Sequence, residues 1–160
     1  MAEKEIENYI GEFLTENSQI NALNFSEYLR ANEMLFERCR NGYWEDKLYW
    51  TVKYKSQTVF QILINGYEEG HWVVWSDDSG SDWFRDFPLD EYIKETAWNN
   101  VGFCGKGGCC RNMGTRRMIF GREFDNVCIA ALRFNNPGAE ALECMKRMSE
   151  IRKNDILKNV

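Results

Sequence analysis

This chain of 160 residues has a single histidine, His71, only two prolines, and no apolar run of the roughly 18 residues a membrane-spanning helix requires. The short apolar runs predict no membrane span. With one histidine the H-E-x-x-H zinc pair cannot form, and G-x-S-x-G, G-x-x-x-x-G-K-[ST] and G-x-G-x-x-G are missing as well. No internal repeat, low-complexity tract or Pro/Gly/Ser-rich linker interrupts residues 1–160, which read as a single domain. Long basic runs are also missing. Net charge is −5, with 25 acids against 20 bases, and the densest basic group is Arg111, Arg116 and Arg117. Phosphate backbones are held by clustered Lys and Arg, so no nucleic-acid partner is expected. The N-terminus lacks a basic-then-apolar leader, which predicts a cytoplasmic protein. Thiols stay reduced there, so the six cysteines point to metal, reactivity or burial before disulfides.

The composition is globular, with 44% hydrophobic and 28% charged residues. The polar ends, residues 1–3 and 154–160, are expected to be flexible. Ile6, Tyr9, Ile10, Phe13 and Leu14 recur at helical spacing, and a second helix is expected from about Asn24, with Glu27 completing a capping box. The period then changes to two. Leu48, Trp50, Val52 and Tyr54 alternate with polar neighbours, and Phe60, Ile62 and Ile64 do so after a KSQ turn, predicting an antiparallel hairpin. HWVVWS is apolar on both faces, Trp72 and Val74 on one and Val73 and Trp75 on the other. A helix is expected after Pro88, with Asp90 and Glu91 in its first turn. RRMIFG and DNVCIAALRF read as two further strands, and a last helix, capped by Asn136 and opened by Pro137, is expected to reach about Ile151. The predicted fold is α+β: a mainly antiparallel five-stranded sheet covered by N-terminal, middle and C-terminal helices.

Two stretches, YWEDKLYWTVKYKSQTVFQILING and FGREFDNVCIAALRFNNPGAEALECMKRMSEIRK, resemble small bacterial proteins of unknown function. The resemblance implies a compact α+β domain with no assigned reaction, and it brings no functional residues. A looser likeness in architecture and aromatic richness is to the effector-binding domains of multidrug-responsive regulators. It implies an acidic group inside an aromatic pocket.

The stretch GFCGKGGCCRNMG, in a Cys/Gly-rich loop over 102–115, holds Cys104, Cys109 and Cys110 within seven residues. A structural zinc site needs four N or S ligands. These three thiols could supply three, and Cys128 is the expected fourth, ahead of Cys39 or His71. Alternatively Lys106, Arg111, Arg116 and Arg117 lower a thiol pKa and make the adjacent Cys109–Cys110 pair a redox sensor. A glycine-rich loop with incidental cysteines fits the same residues. Cys39, Cys128 and Cys144 read individually as small buried hydrophobes.

Six tryptophans and seven tyrosines mark the other candidate. Trp50, Trp72 and Trp75 lie on predicted strands, with Glu45 and Asp77 at strand ends. Aromatic walls with a carboxylate suit a small apolar or cationic ligand. The same residues also suit plain core packing and solvated turns. Calcium is not expected, because SDDSGSD lacks the alternating ligands and closing glutamate. With no catalytic pair in view, the chain reads as a ligand-binding or regulatory domain rather than an enzyme. The zinc alternative has a direct test in elemental analysis of the purified protein. A zinc-bearing loop gives one equivalent of metal and loses stability in Cys104→Ser, whereas trace metal and an unchanged Cys104→Ser melt remove it.

Overall fold

The computed structural model describes residues 5–104 and 114–159. Helices α1 (Ile6–Phe13) and α2 (Glu16–Ala31) come first, followed by strand β1 (Leu35–Arg38) and a short 3-10 turn at Gly42–Trp44. Strands β2 (Leu48–Tyr54), β3 (Gln57–Ile64) and β4 (Trp72–Ser76) follow, then α3 (Glu91–Trp98). The rest is β5 (Val101–Phe103), β6 (Thr115–Ile119), β7 (Arg122–Asn135) and α4 (Ala139–Lys158). The fold is α+β, and among the described residues it has four helices and one antiparallel sheet of seven strands. No described helix is long and apolar enough to cross a membrane.

The sheet order is β1-β2-β3-β4-β7-β5, with β6 also paired to β7. Period-two alternation sorts the side chains. Trp50, Val52, Phe60, Ile62, Trp72, Val74 and Phe134 all turn to one face and are buried there. Ile6 and Ile10 of α1, Phe25 and Leu29 of α2, Ala97 of α3 and Met145 and Met148 of α4 meet them in one core. Turn geometry sets the registers. Lys55 and Ser56 join β2 to β3 at φ 47° and 67°, and Phe120 and Gly121 join β6 to β7 at φ 47° and 84°. Two consecutive left-handed residues give the turn whose twist matches a hairpin.

Strand β7 is 14 residues long because it serves two partners along one edge. Its C-terminal part pairs with β4, Trp75 facing Arg133, and its N-terminal part pairs with β6, Ile119 facing Arg122. Residues 128–132 between these stretches pair with neither strand. Side chains fill in: Ser76 Oγ accepts from Leu132 N (3.0 Å), and Arg117 Nη1 donates to Ile129 O (2.9 Å).

Several expectations need correction. The sheet has seven strands, not five, because β1 and β5 are too short, at four and three residues, to show a period. The second helix begins at Glu16 and not near Asn24. Asn24 lies mid-helix and accepts a hydrogen bond from Lys146 Nζ at 2.7 Å. The last helix starts at Ala139 after Gly138 and continues to Lys158. Residues 154–158, expected as part of a flexible end, are helical because Ile156 reaches the core. The Cys/Gly-rich stretch is shorter than 102–115, since β5 ends at Phe103 and β6 begins at Thr115.

Phe25 is fully buried, with its ring edge-on to Phe60 at 5.3 Å and tilted to Trp72 at 6.1 Å. Phe25→Ala is expected to cost about 3–5 kcal/mol in denaturant unfolding, with the slope unchanged. Arg30 ties α2 to α1 by donating from Nη2 to Glu7 Oε2 at 3.1 Å. Burial pushes the Glu7 carboxyl up, but the Arg30 hydrogen bond, a backbone hydrogen bond and the Arg30 charge together outweigh it and hold the pKa below its ordinary value. The pair therefore stabilises the fold above the ordinary carboxylate range, and that contribution is lost as pH falls through the lowered pKa. Both side chains are about one-third exposed, so Glu7→Gln is expected to cost less than about 1 kcal/mol at neutral pH and nothing in strong acid. Melts across pH check this.

Candidate functional site

The five residues expected to hold a ligand do not share one pocket. Trp50 and Trp72 face the helices and are core residues, 3% and 1% exposed. Tyr9 packs on Trp50 at 5.3 Å. The Trp72 indole N–H has no acceptor among the described residues. Trp75 lies one step out of phase with Trp72 and so emerges on the opposite face. Glu45 is exposed just after the 3-10 turn.

Asp77 is buried, and its partners are internal. Trp83 Nε1 donates to its Oδ1 at 2.7 Å, Ser79 Oγ donates to its Oδ2, and Arg152 Nη2 stands 3.7 Å away. Arg152, itself 5% exposed, also donates to Asp155 (2.9 Å) and to Thr58 O (3.1 Å). Ser81 Oγ donates to Asp155 at 3.1 Å, which closes the network between loop, α4 and sheet. A buried carboxylate already holding two donors and a guanidinium serves packing rather than a ligand.

The face away from the helices carries a separate aromatic cluster. Tyr49, Leu63 and Val73 stand in one cross-strand row and are buried, and no residue of α1, α2, α3 or α4 belongs to their cluster. Trp44, delivered by the 3-10 turn, covers them. Its ring stacks on Tyr49 at 4.1 Å and 10° and meets Trp75 edge-on at 6.1 Å. Tyr67, from the β3–β4 turn, meets Trp75 edge-on at 6.2 Å. Trp75 is half-buried, whereas Tyr43 and Tyr67 are 60% and 52% exposed. Burial, aided by the negative charge of Asp78, pushes the Tyr49 phenol above its ordinary pKa, so it stays neutral.

Arg133 completes this cluster. The register places it beside Trp75, with its guanidinium 5.6 Å from the Trp75 ring centroid and 5.1 Å from that of Tyr67. Its Nε donates to Asn135 Oδ1 at 3.1 Å. Lys47 lies over Tyr43 at 4.2 Å. Edge-on rings and cation–π pairs at these separations add about 0.5–1.5 kcal/mol each to plain burial. Two hollows lie elsewhere. One, of about 500 Å³, is lined by Asn99, Asn100, Asn135, Asn136 and the start of α4. The other, of about 250 Å³, lies by Pro88, Ile93 and Arg147.

Of the four cysteines expected to bind metal, Cys109 and Cys110 lie outside the described residues, as do Lys106 and Arg111. Cys104 and Cys128 are half-buried. No three His, Cys, Asp or Glu side chains among the described residues converge as metal ligands. Cys104 N donates to Asn126 O at 2.9 Å, and Asn126 Nδ2 donates to Cys104 O at 3.0 Å. A Cβ on Gly114 would fall 2.8 Å from Cys104 Cβ, so only glycine fits there. Arg116 is engaged by Glu123 and Asp125, and Arg117 by Asp82. His71 pairs with Glu68 at 2.9 Å.

Trp44, Tyr67 and Arg133 were missed as site residues by sequence reasoning. The available signal was the phase of Trp75, opposite to the core-facing Trp72. The pairing that brings in Arg133 from 58 positions away (133 − 75) leaves no local trace. No family model, no curated protein and no solved structure matches this chain.

Asp77→Ala strands the Trp83 indole N–H and weakens the hold on Arg152. It is expected to cost about 3 kcal/mol in chemical unfolding, at the low end for a broken buried pair because Asp155 still faces Arg152. Burial pushes the Cys144 thiol up to about 12. Alkylation followed by peptide mapping should leave Cys144 unmodified at pH 8 until the protein unfolds.

Proposed function

We propose that this chain is a small-molecule-binding or regulatory domain whose site is the sheet face around Trp75, Tyr67 and Trp44, opposite the described helices. Its ligand is a flat, largely apolar organic molecule that lies against the rings. The observation that carries this reading is the half-buried Trp75, held between two other rings on a sheet face that no described helix covers. Trp50 and Trp72 are sealed in the core, so their size accounts for folding. The rings of Trp75 and Tyr67 retain accessible surface beyond what the fold uses. Glu45 and Asp78 are exposed in the flanking turns. The likeness to effector-binding domains belongs to the same proposal: an aromatic surface on a small α+β body, with acids at its rim.

Thermal-shift and tryptophan-quenching screens with flat organic molecules of negative, neutral and positive charge test this. A ligand at a hundredfold excess over its Kd is expected to add about 2.7 kcal/mol of stability. Trp75→Ala should abolish that shift while unfolding cooperatively on its own. A panel in which no compound shifts the melt or quenches fluorescence overturns the proposal.

A further inference from the structure

We infer that Arg133 anchors a carboxylate and that the ligand of the Trp75 face is a small aromatic acid. The inference rests on the proposed site and adds the charge of its occupant. The chain has 25 acids against 20 bases, so arginines have carboxylates in excess to choose from. Arg30, Arg116, Arg117, Arg147 and Arg152 each hold one within 4 Å. Arg133 has no carboxylate that close among the described residues, and its only hydrogen bond among them is from Nε to Asn135 Oδ1. Its Nη atoms donate to no described residue.

The guanidinium is nevertheless held in place. Tyr67 and Trp75 flank it at 5.1 and 5.6 Å, and Asn135 fixes its Nε end. A planar fork with free Nη donors, oriented beforehand, matches the two oxygens of a carboxylate. An aryl group attached to that carboxylate would lie on the neighbouring rings. A ligand cation would meet Arg133 over Tyr67 and Trp75, where it would have to displace a positive charge, whereas Lys47 over Tyr43 is already paired with Asp46 at 3.3 Å. Charge complementarity thus selects an anion at the Arg133 end of this face, with the exposed Glu45 and Asp78 in the flanking turns. Arg122 serves as an internal comparison. It also lies over two rings, Trp98 and Phe124, without a carboxylate within 4 Å among the described residues, but it is exposed at the β6–β7 turn, whereas Arg133 is half-buried.

Isothermal titration of the full chain with 2-naphthoate, 2-naphthylmethanol and 2-naphthylmethylammonium tests the inference. Naphthoate is expected to bind about tenfold or more tightly than the neutral alcohol, as one charge-assisted bidentate contact allows, and the ammonium more weakly than either. Arg133→Gln should bring naphthoate down to the affinity of the alcohol and leave the alcohol unchanged. Arg133→Lys should restore part of the difference, and Arg122→Gln should behave as wild type. If Arg133→Gln does not fold, the wild-type series still decides. Equal binding of all three probes, or a naphthoate preference that survives Arg133→Gln, overturns the carboxylate anchor and leaves the aromatic site standing. No binding of any probe, together with a silent thermal-shift panel, removes both.

Discussion

All four described helices pack on one face of the sheet, and most other features of the molecule answer to that constraint. Each helix brings a single apolar stripe, and the stripes of α1, α2, α3 and α4 meet in the same core. The other face must exclude water with side chains of its own. It does so with rings: Trp44 lies flat on Tyr49, and Trp75 and Tyr67 close the neighbouring positions. A large flat side chain can shield Leu63 and Val73 without a second layer of secondary structure, because a single indole covers the area of several aliphatic groups. Such shielding is incomplete at its margin. The margin is where Trp75, Tyr67 and Arg133 remain accessible.

The second constraint is the length of β7. A strand shared end to end by β4 and β6 leaves a stretch of its edge unpaired, and buried backbone groups there need partners. Ser76 and Arg117 provide them. The loop after β4 packs over the same gap. Phe84 and Arg85 carbonyls accept from Phe120 and Gly121, and Asp77, Trp83 and Arg152 tie the loop to α4. Buried Ser76, Asp77 and Arg152 thus lie at a joint between strands. Arg152 stands between two acids, the buried Asp77 and the partly exposed Asp155. A carboxylate beside aromatic residues in the sequence looks like a site, but here it is a structural bond.

Legibility in the sequence followed the range of the interactions. The three strands β2, β3 and β4 announced themselves because period-two alternation is local. Helix α4 was visible but ended too early, since its polar last turn is held by one buried residue, Ile156. Strands β1 and β5 were invisible: LFER and VGF carry too few residues to show a period and are strands because a neighbour pairs with them. The candidate site divides in the same way. The phase difference between Trp72 and Trp75 could be read directly, and it separates a core residue from a surface one. Grouping Trp50, Trp72 and Trp75 ignored that phase. The partnership of Trp75 with Arg133 depends on which strand lies beside β4, a matter of topology that no short stretch records.

Magnitudes explain how Arg133 can be ordered and still unneutralised. An exposed arginine stacked on a ring gains about 0.5–1 kcal/mol. An exposed ion pair gains about 0–1 kcal/mol, with both partners losing rotamer freedom. For stability the two arrangements are nearly equivalent, so folding alone does not require that Arg133 find an acid. They differ in what is left over. An ion pair consumes the donors and cancels the charge, whereas a ring restrains the plane of the guanidinium and leaves its edge unsatisfied. Around Trp75 the fold uses rings for both tasks, to shield the sheet and to hold the base. The consequence is a positive, directional group on an aromatic surface, in a chain whose net charge is −5.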